Sequence, residues 1–581
     1  DTDIAVGSDG VPYVVWDDNN SEFLAQFIVT GNTAPSGGGT NAINTTTSNN
    51  VVLTTAMLNG SDAEFTNNDL EFAITNSPDL GTLNSSSFTL ADIANGNVSY
   101  TAGATPGADS FEYYIQDDYF SSGPFTFNVT LTAPITPSAA GGDGPGGVGT
   151  TDGTSSLALW LQADNSAYTD ASCALGNEAT TNGELVQCWQ DTSGYNANSI
   201  QSTTTNRPTY QDNALNGQPI VRFDGANDFL NIPLSVINGK TSFSFFTAAT
   251  WNTSSNWQRL WDFGQSTTIN GFITPRNSND TRPRFALTNS GGGGEQRLTF
   301  ASSFPVGSGQ ITEVIWDGTN GDGTGLRNGN TEATGNTYTL TPNDLSPISY
   351  NYLGRSIYPD PYLSADIGDY IIFDAPLNDT ERILVENYLS SKYAISLTTN
   401  DVYAGDTNGN GDFDLDVAGI GQFGGNQHTQ AFGAGLAIVD ASFLNDDGDW
   451  LLFGHNTPTN GESTTDLPTT GDWATFTVSE RWSRTFYIDQ TDNPTTACST
   501  PGTCFVDIIF DYGDAGLGTP PNADPANYRL LTRAGTAGQF TDIGTSTVVV
   551  GDQVQFLNVD VTDLDSVVTL GFLSAGIVVN T

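Results

Sequence analysis

Short apolar runs of roughly five to eight residues recur along the chain, and each closes on Gly, Asn, Asp, Pro or Ser. Val11-Pro12-Tyr13-Val14-Val15-Trp16, Leu70-Glu71-Phe72-Ala73-Ile74 and Phe505-Val506-Asp507-Ile508-Ile509-Phe510 are examples, and Phe125 to Leu131 alternates apolar with polar. Runs of this length, rich in β-branched and aromatic residues and punctuated by turn formers, predict strands. One stretch breaks the pattern. Asn378 and Glu381 form a capping box, with Ile383, Leu384, Tyr388 and Leu389 on one face and Lys392 near the end, which predicts a helix against a sandwich edge. The fold class that follows is all-β, built of tandem β-sandwiches. At 581 residues the chain exceeds a single core and predicts three to five domains.

Charge narrows the partners. Sixteen basic against 65 acidic residues give a net charge of −49, and only Lys240 and Lys392 are lysines. A field of that sign repels nucleic acid and anionic membrane and suits salt water or divalent cations. No run is long enough to span a bilayer, so direct membrane insertion is not expected. The four cysteines form two close pairs, Cys173 with Cys188 and Cys498 with Cys504, neither with CxxC spacing and neither near His428 or His455 in sequence. Two local disulfides in an oxidising compartment are predicted rather than zinc. The chain starts at Asp1 without an apolar leader, and any export signal is expected to have been removed already.

Several segments resemble known modules. Residues 1–33 read as a β-hairpin, and Asp9-Gly10-Val11-Pro12-Tyr13-Val14-Val15-Trp16 resembles one blade of a bacterial β-propeller repeat. Residues 34–49 read as a polar connector. Gly81-Thr82-Leu83, Phe88 to Ile93, Gly96 to Tyr100 and Asp109-Ser110-Phe111 resemble the cadherin-like repeats of bacterial surface proteins, which implies a seven-stranded spacer or adhesive sandwich over 34–134. Residues 135–153, Gly-rich and without apolar periodicity, predict a linker. Over 154–399, Leu157 to Asp164, Cys188 to Gly194, Asn216 to Gly225 and Tyr352 to Arg355 resemble the LamG-like, concanavalin A-type jelly roll. Residues 400–581 resemble the uncharacterised β-rich domain that often follows such a jelly roll, here on Asp449 to Asn456 and Glu480 to Arg484, and imply a C-terminal sandwich.

Three constellations are candidates for chemistry. Asp406, Asn408, Asn410, Asp412, Asp414 and Asp416 place oxygen donors at alternating positions around glycines, as calcium requires. The first six positions match an EF-hand loop, but the twelfth is Val417, so Asp414 or Asp416 has to supply the remaining carboxylate. A structural calcium ion and a plain solvated acidic turn are the two readings. Asp317 to Gly323 reads as a hairpin tip, and Asp62, Asp69, Asp117 and Asp118 are further calcium candidates at the rim of the cadherin-like sandwich. Trp251, Trp257 and Trp261, near Asn252 and Asn256, form a candidate sugar platform, the alternative being core aromatics. No paired-carboxylate glycosidase motif, nucleophile elbow or phosphate loop is present.

The function expected is therefore non-enzymatic adhesion or binding outside a bacterial cell, at its surface. The partner is a glycan or a surface protein. The alternative is a structural subunit that assembles with further copies of itself into an extracellular fibre or sheath.

Overall fold

The structure is a computed structural model. It describes residues 2–6, 12–17 and 22–26 as backbone strands, then 33–47, 50–63, 70–103, 105–117, 119–132, 141–468, 478–493, 498, 500–564 and 566–573. Two compact units emerge, Asp1–Ile135 and Thr136–Thr581. Both are almost entirely β.

In the first unit, the expected N-terminal hairpin is the antiparallel pair Pro12–Asp17 and Glu22–Gln26, with Trp16 opposite Phe23. A preceding strand, Thr2–Val6, extends it to three strands. The cadherin-like segment folds as a five-stranded and a three-stranded sheet around one core, from Leu53 and Tyr100 on one side to Phe72, Phe111 and Phe127 on the other. The polar stretch 34–49 is not a connector. It supplies the strands Ser36–Gly38 and Ala42–Thr46, and the second runs parallel to Ser121–Thr132. A short helix, Leu90–Ala94, interrupts the predicted strands because Thr89 and Asp92 form a capping box around its first turn. Its buried Leu90 and Ile93 face the core.

The second unit contains two sandwiches. In the first, an eight-stranded sheet that includes Phe243–Trp251, Gly309–Asp317 and Ser364–Phe373 opposes a nine-stranded sheet that includes Trp261–Ser266, Ile269–Thr274, Arg284–Thr288 and Tyr350–Leu353. Their shared core is rich in buried aromatics such as Phe245, Trp261, Phe285 and Trp316. Each large apolar side chain buried there stabilises by about 1.5–3 kcal/mol. The C-terminal sandwich sets a sheet containing Leu415–Phe423, Trp450–His455 and Val567–Leu573 against one containing Leu436–Asp440 and Phe505–Asp511.

The predicted helix forms over Asp379–Tyr393 with its capping box in place. It does not lie on an edge. From Arg382 to Tyr393 every residue is buried, because a further core joins the helix to Phe246 and Ile371 of the first sandwich and to Val417, Trp450 and Leu452 of the second. Inside this core Asp369 accepts hydrogen bonds from Tyr388 OH (2.8 Å), Tyr393 OH (2.6 Å), Trp160 Nε1 (3.1 Å) and Lys392 Nζ (3.1 Å).

The predicted linker is a correction of the same kind. Its described part, from Gly141 onward, is mostly buried and threads between the two sandwiches. Gly146 O accepts from Gly419 N (3.3 Å), Gly142 O accepts from Phe432 N (3.0 Å), and His428 Nε2 meets Gly147 O at 3.0 Å. Glycine is required by contact rather than for flexibility. A Cβ on Gly146 would stand 2.6 Å from the backbone of Leu384, and φ there is +73°.

Both cysteine pairs are disulfides, with Cα–Cα distances of 5.6 Å for Cys173–Cys188 and 5.5 Å for Cys498–Cys504.

Candidate functional site

Strand alternation builds a cleft on the outer face of the nine-stranded sheet. On Ile269–Thr274 the side chain of Ile273 enters the core, which sends Asn270 and Phe272 to the opposite face. On Arg284–Thr288, Phe285 and Leu287 point inward and leave Arg284 and Thr288 outside. Register sets these residues side by side, with Asn270 opposite Thr288 and Phe272 opposite Asp262. Loops carrying Trp257, Arg259, Glu295, Tyr358 and Asp360 close over this face and leave a cavity of about 300 Å³. That is within the range of small-molecule pockets and admits a sugar ring.

Two arginines line the aromatic wall. The Arg259 guanidinium stands 4.3 Å from the Phe272 ring centre and 5.5 Å from that of Trp257; Arg284 stands 4.7 Å from Trp257 and 5.5 Å from Phe272. Carboxylates hold both in place. Asp262 and Asp360 lie 3.3 and 3.5 Å from Arg259, and Glu295 lies 3.1 Å from Arg284. Burial pushes the Asp262 carboxyl up to about 6, against the pull of Arg259. Burial lowers the pKa of Arg284, against the pull of Glu295.

Trp257 has a left-handed backbone, with φ +67°, which is rare for a bulky residue. Its N–H donates to Arg276 O (2.9 Å), its carbonyl accepts from Arg259 Nη1 (2.6 Å), and its Nε1 donates to Ser278 Oγ (3.1 Å). Strain of this kind collects where a side chain is held for a purpose.

The three-tryptophan platform is thereby corrected. Trp251 and Trp261 are fully buried, since both lie on strands whose odd positions enter the core, and neither reaches a ligand. Trp257 alone lines the cleft. Arg259, Arg284 and Asn270 were not singled out from sequence. The concentration of Arg259, Arg276, Arg282, Arg284 and Arg297 among only sixteen basic residues was the available signal.

The oxygen-rich loop 406–416 is folded on itself. Asp406 Oδ2 accepts from Ser391 Oγ (3.1 Å), and burial pushes its carboxyl up to about 6. Asn410 Nδ2 donates to Ala404 O (2.8 Å), the Asn408 amide donates to Asp412 (2.8 Å), and Asp416 Oδ2 meets His455 Nε2 at 2.8 Å. Asp414 is half-buried. Among the described residues no group of three or more His, Cys, Asp or Glu is placed to hold a metal ion. Asp317 closes a hairpin tip by accepting from Thr319 N and Asn320 N, and Asp117 caps Tyr119 N and Phe120 N in the same way. Asp69 and Asp118 lie outside the described residues.

Residues 39–131 match the cadherin-like family. No curated protein matches the chain. Among solved structures, the chain is similar to the CBM40 domain of the Ruminococcus gnavus IT-sialidase bound to alpha2,3 sialyllactose, at 13% identity and TM-score 0.26, covering 29% of this chain and 94% of that one. It is similar to domain 4 of AbnA, a GH43 extracellular arabinanase from Geobacillus stearothermophilus in complex with arabinotriose, at 15% identity and TM-score 0.27, covering 40% and 97%. It is also similar to the binding domain of botulinum neurotoxin serotype D/C, at 12% identity and TM-score 0.26, covering 72% and 99%. At these values none of the three assigns a ligand to this chain. Among the described residues no helix is long and apolar enough to cross a membrane.

Proposed function

We propose that this chain is a non-enzymatic binding protein of a bacterial cell surface, and that the Trp257–Arg259 cleft is where it takes a glycan. The observation that carries the reading is the composition of the cleft. Aromatic faces at Trp257, Phe272 and Tyr358 stand beside buried, ion-paired guanidinium groups and an amide. Sugar rings offer apolar C–H faces and hydroxyl edges, and such walls complement both. The two disulfides and the cadherin-like segment accord with an extracellular setting.

The test is a glycan array probed with the full chain and with Trp257→Ala. Binding to defined glycans by the native chain, lost in the variant while its melting temperature holds, supports the reading. An array with no binder, or binding unchanged in Trp257→Ala, overturns it.

A further inference from the structure

Lysine occurs twice among sixteen basic residues, and the second, Lys392, is buried at the end of the helix Asp379–Tyr393. Arginine is the usual choice for a buried ion pair, because its charge persists and its fork fits a carboxylate. Lysine offers what arginine does not, an amine that becomes a nucleophile on losing a proton. Lys392 Nζ lies 3.1 Å from Asp369 Oδ1 and 3.0 Å from Asp164 Oδ1, with Tyr388 OH at 3.0 Å. One amine thus faces two carboxylates in different surroundings. Asp369 is fully buried, whereas the Asp164 side chain is 30% exposed.

The hydrogen bonds around Asp369 suit an electrophile. Its Oδ2 accepts from Tyr388 OH (2.8 Å) and Trp160 Nε1 (3.1 Å). Two fixed donors on one oxygen stabilise the charge that builds there when the carboxyl carbon is attacked. Its Oδ1, the oxygen nearest the amine, accepts from Tyr393 OH (2.6 Å), which steadies the atom that would have to leave. Burial disfavours the Lys392 ammonium, but Asp164 and Asp369 outweigh it and hold its pKa well above the ordinary lysine value, so attack requires a base. Asp164 stands at hydrogen-bond distance from the amine and opens partly to water, as a base for this step must. Helix and strand keep all these groups in place, which removes the entropic barrier of bringing them together.

We propose that Lys392 and Asp369 condense to an amide, which cross-links the helix Asp379–Tyr393 to the strand Ser364–Phe373. Asp164 takes one proton from the ammonium, and the freed amine attacks Asp369 Cγ. Charge moves onto Oδ2, where Tyr388 and Trp160 receive it. The new C–N bond is kept and the C–Oδ1 bond breaks. Oδ1 leaves as water with two protons, one passed across its contact with Nζ and one returned by Asp164. An ammonium and a carboxylate become a neutral amide and one water, so atoms and charge balance, and Asp164 ends as it began. The ion pair described above is the unreacted state. Its conversion removes two buried charges whose desolvation is costly.

The experiment is mass spectrometry of the full chain, incubated in its native state at neutral pH and then denatured with its disulfides reduced. The chain is expected to be lighter than its sequence by one water. Trypsin cuts after Arg355 and Arg382, so the fragment carrying Asp369 is expected to emerge joined to the one carrying Lys392, with no cut at that lysine. Asp164→Asn leaves the pair and its donors in place and is expected to give soluble protein of full mass, as is Lys392→Arg, which cannot link. Full sequence mass in the native chain, or a free fragment ending at Lys392, overturns the inference. So does a water lost elsewhere, which fragmentation reads as a join at Asp164 or a dehydrated aspartate. An Asp164→Asn chain that links as fully as the native one overturns the role given to Asp164.

Discussion

Asp369 is a carboxylate without solvent, held by two tyrosine hydroxyls, an indole N–H and the Lys392 ammonium, which also reaches Asp164 at 3.0 Å. Breaking a buried pair from one side strands the other charge. Lys392→Met is therefore expected to destabilise the protein by about 3–5 kcal/mol, read as a lower urea midpoint. Glu313 presents the opposite problem. It is fully buried beside Glu386, whose partner is Arg382, and burial followed by the Glu386 carboxylate raises its pKa well above the ordinary 4.5. Below that ordinary value both folded and unfolded chains hold the proton and no penalty arises. As pH rises past it the unfolded chain releases its proton while the folded one keeps it, so stability falls until the folded value is passed. Glu313→Gln keeps a donor and removes the titration. Its melting temperature should decline less than that of the native chain between about pH 5 and 8. An identical decline would leave Glu313 without this role.

Elements were legible in proportion to how local their causes are. The helix Asp379–Tyr393 was readable because Asn378 and Glu381 act across one turn, and the disulfides because their partners lie 15 and 6 residues apart. The glycine stretch from 141 was not. Nothing local distinguishes a flexible linker from a strap whose neighbours, Leu384, Ala418 and Gln430, come from hundreds of residues away. The cleft was half readable: the chain shows where arginine and tryptophan concentrate, but strand register decides which side chains leave the core. Gly146→Ala tests the strap. The left-handed backbone alone costs about 1–3 kcal/mol with a side chain present, and the clash with Leu384 adds to it, so a clear drop in melting temperature is expected. For loop 406–416 we retain calcium as a proposal with a stated requirement, that Asp406 and Asp416 exchange Ser391 and His455 for the ion. Millimolar calcium should then raise the melting temperature over that in chelator, and Asp406→Ala with Asp414→Ala should abolish the rise. Equal temperatures in both buffers would remove the proposal.

For the whole molecule, a net charge of −49 sets the response to salt. Self-repulsion in the compact state weakens as ions screen it, so the melting temperature should climb between about 0.01 and 0.5 M sodium chloride. A flat response would mean that the charges are too dispersed to oppose folding. Sedimentation velocity over the same range separates the binding protein from the self-assembling alternative, since a fibre subunit gives concentration-dependent species once repulsion is screened. The Cys173–Cys188 bridge bears on how the molecule withstands enzymes in its surroundings. It encloses a loop in which Leu175 is 90% exposed, an inviting place for a protease to cut. Such a cut would open the backbone without releasing either piece, because Cys188 stays bonded to Cys173 and Trp189 stays paired with Ala167. Nicked protein would run as one species on a non-reducing gel and as two after reduction, so a single cut in this loop would leave the two pieces joined.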